Sequence, residues 1–313
     1  MTTAPTTTAA RAPGAPKAPR ARSQAATDAA RSRRNTLGGS RGMLIAGLLA
    51  LAIAALLWAL PMAFALATSF KTETDATAAP LRFWPENGWT FENYAAVLSA
   101  SGLPRWILNS VLVSVAVTAL TLLVSIPAAY AFSRHRFRGR GLLFALTIAA
   151  IMVPPQILIV PLFEQMKVLR LSDTLAGVAL PQVVAPLMVI VLKNFFDQIP
   201  RELEEAARID GATNLRTMMT VVMPLSRSII VAVGIFVFIG AWNNFLWPFI
   251  ITNSPELMTI PVGLGTVQNA YGLQIAQDMA SAVVGGLPLL IVFVLFQRQI
   301  VKGFASAGLG GGQ

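Results

Sequence analysis

Long apolar segments alternate with short charged segments along most of the chain. A helix needs ~20 predominantly apolar residues to cross the hydrocarbon core of a membrane. Six segments approach or exceed this length: Met43–Leu66, Trp106–Phe132, Gly141–Phe163, Leu175–Leu192, Ile229–Ile251 and Ser281–Phe296. The pattern therefore predicts an all-α integral membrane protein with six transmembrane helices.

The composition supports a membrane protein and excludes several other classes. The 313 residues are 55% hydrophobic and only 12% charged, about half the charged fraction of a soluble domain. There is no cysteine, which excludes disulfides and cysteine-based metal sites. The net charge of +10 is concentrated in the N-terminal tail and the short loops, as at a membrane surface. We therefore expect membrane lipid, and not nucleic acid, as a partner.

The distribution of basic residues predicts the orientation of the spans. Nineteen of the 24 Lys and Arg residues lie in the N-terminal tail, the loops after the second and fourth spans, and the C-terminus. Loops rich in Lys and Arg stay on the cytoplasmic side of a membrane. The sequence thus predicts a multi-pass protein of a bacterial cytoplasmic membrane, with both termini in the cytoplasm.

The two ends of the chain differ from its apolar part. Residues 1–42 consist mainly of Ala, Thr, Pro, Ser and Arg, so they cannot bury enough apolar surface to fold. We predict a disordered basic cytoplasmic tail there. Residues 43–304 form the predicted transmembrane domain, and the glycine-rich residues 305–313 are predicted to be flexible.

An alternative for the N-terminus is a cleaved export signal. Arg31–Leu37 is similar to a twin-arginine motif, and Ala63–Ala65 could serve as a cleavage site. The apolar run between them is longer than the ~7–15 residues of a signal peptide, and five further spans follow. A retained first span is therefore the favoured interpretation.

Prolines interrupt several of the predicted spans. They are Pro127, Pro154, Pro155, Pro161, Pro181, Pro186 and Pro288. One interpretation is simple kinking, in which neighbouring helices satisfy the freed carbonyl groups. The other is that broken helices line a transport pathway, and the sequence leaves both open.

The sequence lacks the residues that catalysis or ion coupling would need. It contains no phosphate-binding loop and no metalloprotease or nucleophile-elbow motif. None of the six spans contains an Asp, Glu, His, Lys or Arg residue, whereas an ion-coupled carrier normally has an Asp, Glu or His within the membrane. We therefore predict no catalytic residues, no metal site, no bound cofactor, and an energy source outside this chain.

Neutral polar and aromatic residues in the spans are candidates for a substrate pathway. Adjacent amides beside indole rings combine hydrogen bonding with flat apolar faces, as sugar binding requires. The candidates are Trp242, Asn243, Asn244, Trp247 and Gln156. Hydrogen bonds between helices and an interfacial aromatic belt are the competing explanations.

The cytoplasmic loop at about 197–224 has the pattern of two short helices joined at a glycine. Pro200 suits a first helical turn, and the glutamates that follow it favour the positive end of the helix dipole. Gly211 fits the C′ position that ends a helix, and Thr213 can cap a second helix that runs to about Pro224. Leu203, Ala206 and Ala207 share one face, where a partner protein could approach closely.

This loop resembles the EAA loop of ABC importer permeases. The matching residues are Glu205-Ala206-Ala207, Gly211 at the family spacing, and Val221-x-Met223-Pro224, where Val and Met replace Ile and Leu. Five more segments are similar to the carbohydrate branch: Ile107–Val111, Leu169–Leu175, Ala241–Pro248, Met258–Val262 and Phe296–Gly303. The chain resembles the MalG-like subunit of these importers over about residues 43–304.

The resemblance implies the ABC importer permease fold and a function in sugar uptake. It implies that the loop docks on an ATPase through Glu204, Glu205, Ala206, Ala207, Asp210, Gly211 and Pro224. The implied partners are a MalF-like second permease, an ABC ATPase dimer that binds ATP and Mg²⁺, and an extracytoplasmic solute-binding protein facing Asn253–Ala280. Because the spans carry no cation, we expect an uncharged sugar. The alternative is a stand-alone secondary transporter or channel.

Overall fold

The computed structural model describes residues 41–100, 102–270 and 274–309. Of the predicted N-terminal tail, only Arg41 and Gly42 fall in these ranges, and they begin the first helix. The twin-arginine-like segment and residues 310–313 lie outside the described residues. The first helix runs without interruption through Ala63–Ala65, where the alternative interpretation placed a cleavage site.

The described residues fold into α-helices joined by short 3₁₀ and π turns. The helices of the first half are α1 (Arg41–Ser69), α2 (Glu73–Thr77), α3 (Glu92–Ala100), α4 (Leu103–Arg134), α5 (Arg140–Ile151), α6 (Ile159–Val168) and α7 (Leu175–Ala179). Those of the second half are α8 (Pro186–Phe196), α9 (Arg201–Ile209), α10 (Asn214–Thr217), α11 (Met223–Leu225), α12 (Arg227–Trp242), α13 (Leu246–Ile251), α14 (Ile260–Ala270) and α15 (Ile275–Leu309).

Three of these helices are long and apolar enough to cross a membrane: Gly42–Ser69, Leu103–Arg134 and Ile275–Gln297. Three further pairs of helices, each bent at a short break, are also apolar and long enough when taken together. If each pair forms one span, the described residues contain six spans. The all-α fold is as predicted. The predicted boundaries are less accurate, since the fifth predicted span (Ile229–Ile251) breaks after Trp242.

The third and fourth predicted spans are broken at their prolines. In the third, α5 ends at Ile151, and helical structure resumes at Pro155 in a direction that differs by 97°. In the fourth, the break between Gln182 and Pro186 bends the chain by 47°. A proline lacks an N–H and restricts the residue before it to an extended conformation, which ends a helix. Helices α4 and α15, by contrast, continue through Pro127 and Pro288.

Helix α4 lies at the centre of the fold, packed against α8 and α12. Small side chains permit this close packing: a Cβ atom on Gly234 of α12 would lie 3.3 Å from Leu122 Cδ1 of α4. The hydroxyl of Thr121 donates to the carbonyl of Val183, 3.0 Å away in the break of the fourth span. This contact confirms that a span hydroxyl here joins two helices and satisfies a freed carbonyl group.

The chain divides after Met62 into two units. In the first unit, the described side chains from Gly42 to Met62 are all exposed, as expected of a helix surrounded by lipid. In the second, the backbone of α15 stays helical to Leu309, past the position where a flexible tail was predicted to begin.

The segment after α13 is fixed to two other parts of the fold. The Trp106 indole donates to the carbonyl of Pro255 at 2.7 Å, and the Asn109 amide donates to the carbonyls of Glu256 and Met258 at 2.8 and 2.9 Å. The carboxylate of Asp173 accepts from the backbone N–H groups of Asn253 and Ser254 and from the Ser254 hydroxyl. Two family-like segments, Ile107–Val111 and Leu169–Leu175, thus have structural roles here.

Asp173→Ala should destabilise the protein by about 1–2 kcal/mol, because it removes three hydrogen bonds to a partly exposed carboxylate. The same bonds hold the pKa of Asp173 below its ordinary value of 3.8. Because the pKa is lower in the folded state than in the unfolded state, ionised Asp173 stabilises the fold. This stabilisation is complete when the pH is above the ordinary pKa, and it is lost as the pH falls through the folded-state pKa. Thermal unfolding of the detergent-solubilised protein at pH 7 measures the loss, with exposed Glu256→Ala as the control. An unchanged midpoint in the Asp173 variant would contradict the assigned role.

Candidate functional site

The predicted cytoplasmic loop forms two helices that meet at Gly211. Pro200 lies immediately before α9 with φ −56° and ψ 132°, one position earlier than predicted. Glu202 and Glu204 occupy the first turn, where a negative charge stabilises the N-terminal end of the helix dipole.

Gly211 ends α9 in the conformation that the sequence predicts. Its φ is +82°, in the left-handed region that only glycine adopts without strain. The Ala212 N–H bonds to the Ala207 carbonyl at 2.9 Å, and the Gly211 N–H to the Arg208 carbonyl at 3.0 Å. This pair of bonds is the Schellman arrangement, so the C′ position of Gly211 is confirmed.

Thr213 caps the second helix of the loop, as predicted. Its hydroxyl accepts from the Arg216 N–H at 3.4 Å, and the helix then continues to Leu225, one residue beyond Pro224. A π turn at Met218–Val222 precedes Pro224. The chain then bends by 84° into α12, so the loop leads directly into a membrane helix.

Glu204 faces the interior of its own chain, unlike its neighbours on α9. Its carboxylate Oε1 lies 2.6 Å from Arg134 Nε at the end of α4, and both side chains are 4% exposed. The Nε–H does not point at this oxygen, so charge holds the pair. The Tyr130 hydroxyl donates to Oε2 at 3.2 Å. The predicted role of Glu204 in ATPase contact therefore does not match the position of its side chain.

Arg134 also holds the end of α8. Its Nη2 donates to the carbonyls of Phe196 and Ile199, at 2.6 and 2.7 Å. The guanidinium group therefore joins three elements: α4, the C-terminal end of α8 and α9. We call Tyr130, Arg134 and Glu204 the buried latch. The buried latch is not evident from the sequence, because no local pattern pairs residues so distant along the chain.

The outer surface of the loop carries charged side chains of both signs and exposed apolar side chains. Glu205, Ala206, Asp210 and Pro224 are exposed, and Ala207 is half-buried. Among the large apolar side chains nearby, Ile209 is 86% exposed and Leu215 is 59% exposed. An apolar surface of this kind next to charged residues is typical of a docking site.

The second candidate site is a cleft of about 380 Å³ at the breaks of three predicted spans. Its lining includes Pro155 and Gln156 after the first break, Pro181 and Gln182 at the second, and Asn244 and Trp247 at the third. Three of the five predicted pathway residues, Gln156, Asn244 and Trp247, thus come together. The described lining residues carry no charge.

Asn244 and Gln182 are paired across the cleft. The Asn244 amide donates to Gln182 Oε1 at 2.7 Å, and Gln182 Nε2 donates to the Val178 carbonyl at 2.8 Å. The Trp247 indole N–H donates to the Gly177 carbonyl at 3.1 Å, which fixes the ring. Gln182 was absent from the predicted pathway set, although its position between two prolines of a predicted span was a signal.

The structure does not bring the other two pathway candidates into the cleft. Trp242 is 3% exposed and belongs to a separate apolar cluster that includes Trp106, where it stacks on Phe238. Asn243 is exposed, and its amide donates back to the Ile239 carbonyl of its own helix at 3.0 Å. Trp242 and Asn243 therefore do not line this cleft.

The fold is that of a solved importer permease. A chain in the crystal structure of a bacterial ABC transporter involved in the import of the acidic polysaccharide alginate matches with a TM-score of 0.75 at 23% sequence identity. The match covers 82% of this chain and 96% of that chain. The likeness shows that this chain has the fold of an ABC importer permease.

Two named relatives narrow the class to a family. The sulfoquinovosyl glycerol transport system permease protein SmoH of Agrobacterium fabrum is 37% identical over 80% of this chain and 88% of its own. The trehalose/maltose transport system permease protein MalG of Thermococcus litoralis is 34% identical over 87% of this chain and 97% of its own. The family described as binding-protein-dependent transport system inner membrane component matches residues 121–303, and the chain belongs to this family.

Family membership confirms the resemblance that the sequence motifs indicated. Like its relatives, the chain is a transport permease and not an enzyme. It resides in a membrane, and its transport depends on a binding protein. The alternative of a stand-alone secondary transporter or channel is therefore set aside.

Proposed function

We propose that this chain is one of two permease subunits of an ATP-driven sugar importer and that its 380 Å³ cleft forms part of the sugar pathway. The observation that carries the proposal is the convergence of three helix breaks, after Ile151, Gln182 and Trp242, on one uncharged cleft lined by amides and an indole. Broken helices are the usual way in which transporters build substrate sites within a membrane.

The chemistry of the cleft suits an uncharged di- or oligosaccharide. The Gln156, Gln182 and Asn244 amides can each donate and accept hydrogen bonds, as sugar hydroxyls require. The alginate importer shares this fold, so the fold alone does not set the charge of the substrate. An anionic substrate would normally be held by a cationic side chain, and the described lining carries no cation.

In the proposed complex, the cytoplasmic loop docks on one subunit of an ABC ATPase dimer, which binds the ATP and Mg²⁺. The exposed charged and apolar surface of the loop supports this role. A MalF-like second permease completes the pathway, and an extracytoplasmic binding protein delivers the sugar to the side of Asn253–Ala280. Both termini lie in the cytoplasm, an orientation that the excess of Lys and Arg on that side supports.

The test is sugar uptake by the complete importer. Vesicles containing both permeases and the ATPase would be given the binding protein, ATP and a panel of labelled maltose-type oligosaccharides, with glycerol 3-phosphate for comparison. We expect uptake of a neutral sugar that depends on the binding protein. Uptake of glycerol 3-phosphate without any sugar would overturn the proposed substrate class.

Asn244→Leu should lower the initial rate of sugar uptake by roughly tenfold, because it removes a donor and leaves Gln182 without its partner. Asn243→Leu is the matched control, since that side chain bonds only its own helix. Both variants should insert and assemble normally. Equal rates in the two variants would show that the cleft does not contact the sugar, and the partner permease would then carry recognition.

A further inference from the structure

A second cavity, of about 360 Å³, lies between the adjoining ends of α5 and α8. Its lining consists of Arg140, Gly141, Phe144 and Lys193, and we call it the basic pocket. Arg140 begins α5, immediately after a loop rich in basic residues, and Lys193 lies in the last turn of α8. We propose that the basic pocket binds the phosphate headgroup of an anionic phospholipid such as phosphatidylglycerol.

The charges around the basic pocket favour an anion. Residues 133–141 include four arginines and no acidic residue. Lys193 is only 17% exposed and pairs with Asp197 at 2.5 Å, which uses one of its three N–H donors. The Ser133 hydroxyl also donates to Asp197, at 2.7 Å. Arg134 is paired with Glu204 and Asp197 is balanced by Lys193, so Arg136, Arg138 and Arg140 leave a net positive charge.

Helix α5 adds to this preference at its N-terminal end. No side chain caps its first turn, and that turn contains no acidic residue. Gly139, which precedes the helix, has φ +84°. Gly141, in this first turn, also lines the basic pocket. The positive end of the helix dipole therefore adds to the attraction of Arg140 and Lys193 for an anion.

The surface beside the basic pocket distinguishes a lipid from a free anion. None of the residues of α5 is buried, and Leu142, Leu143 and Leu146 are 67%, 49% and 56% exposed. Phe144 forms one wall, with Lys193 Nζ 5.1 Å from the centre of its ring. An acyl chain can lie along this exposed apolar helix while its phosphate occupies the basic pocket. Basic pockets between membrane helices bind lipid headgroups in this way.

The test measures phosphatidylglycerol binding to the full-length protein in a neutral detergent by native mass spectrometry, with phosphatidylcholine as the comparison lipid. Arg140→Gln and Lys193→Gln should each weaken phosphatidylglycerol binding by about fivefold. The matched control is Arg138→Gln, on the same loop but outside the basic pocket. Arg140→Lys should retain binding, which separates loss of charge from loss of fold.

Three results would overturn the proposal. Equal losses in the Arg138 and Arg140 variants would indicate general surface attraction. Equal binding of phosphatidylcholine would show that the headgroup charge is not recognised. Displacement of phosphatidylglycerol by an equal concentration of glycerol 3-phosphate would indicate a site for free anions. None of these results concerns sugar transport, so the proposed function stands or falls separately.

Discussion

Glu204→Ala should be among the most destabilising single substitutions in this chain, at about 3–5 kcal/mol, because it leaves the buried Arg134 guanidinium without its counter-charge. Both side chains are 4% exposed, so water cannot replace the lost carboxylate. We expect a lower thermal midpoint in detergent and a smaller amount of protein in the membrane. Glu205→Ala, on the exposed side of the same helix, should leave both quantities unchanged.

The effect of the buried latch should extend to the position of α9. Arg134 bonds the end of α8 as well as Glu204, so Arg134→Ala should cost more than Glu204→Ala. Limited proteolysis of the loop provides a direct measure. Arg201 and Arg208 are exposed on α9, but trypsin cleaves after them readily only when the helix unfolds locally. If both variants keep the wild-type midpoint and cleavage rate, the ion pair is not what holds this helix in place.

Local signals in the sequence were enough to predict the ends of the loop helices. Gly211 at a C′ position and Thr213 at a cap act through their own backbone neighbours, so their roles follow from spacing alone. The apolar lengths predicted the membrane helices, and the prolines predicted two of the breaks. These features depend on residues that are close together along the chain.

The direction of individual side chains could not be predicted in the same way. Glu204 and Glu205 are adjacent acids, yet only the packing of α9 against α4 decides which one is buried. Trp242 and Trp247 occur in one motif, but one packs in a separate apolar cluster and the other lines the cleft. The partners that decide these positions, Arg134, Phe238 and Gly177, lie on other turns or other helices.

Substitutions on the outer surface of the loop should stop the loaded binding protein from stimulating ATP hydrolysis. Gly211→Val forces a β-branched residue to φ +82°, at a cost of roughly 1–2 kcal/mol. A Cβ atom there would meet nothing within 4 Å, so any effect comes from the changed direction of the backbone. The matched control is Gly47→Val, since its Cβ atom is equally unobstructed on a helix with ordinary φ.

Two further variants test the docking surface itself. Glu205→Lys reverses the charge of an exposed residue and should repel a basic surface on the ATPase. Ala206→Trp adds a bulky ring to an exposed position of the face where close approach is predicted. Ala206 is more suitable than Ala207, which is half-buried, because the larger side chain there would also disturb the fold.

All three loop variants should reach the membrane in normal amounts and bind the second permease. In reconstituted vesicles, each should lose most of the ATP hydrolysis that the loaded binding protein stimulates, and Ala206→Trp should also lose the ATPase on purification. The basal hydrolysis of the isolated ATPase serves as the reference. Full stimulated hydrolysis in all three variants would mean that ATPase closure reaches the membrane helices by another route, although the family and fold of the chain would stand.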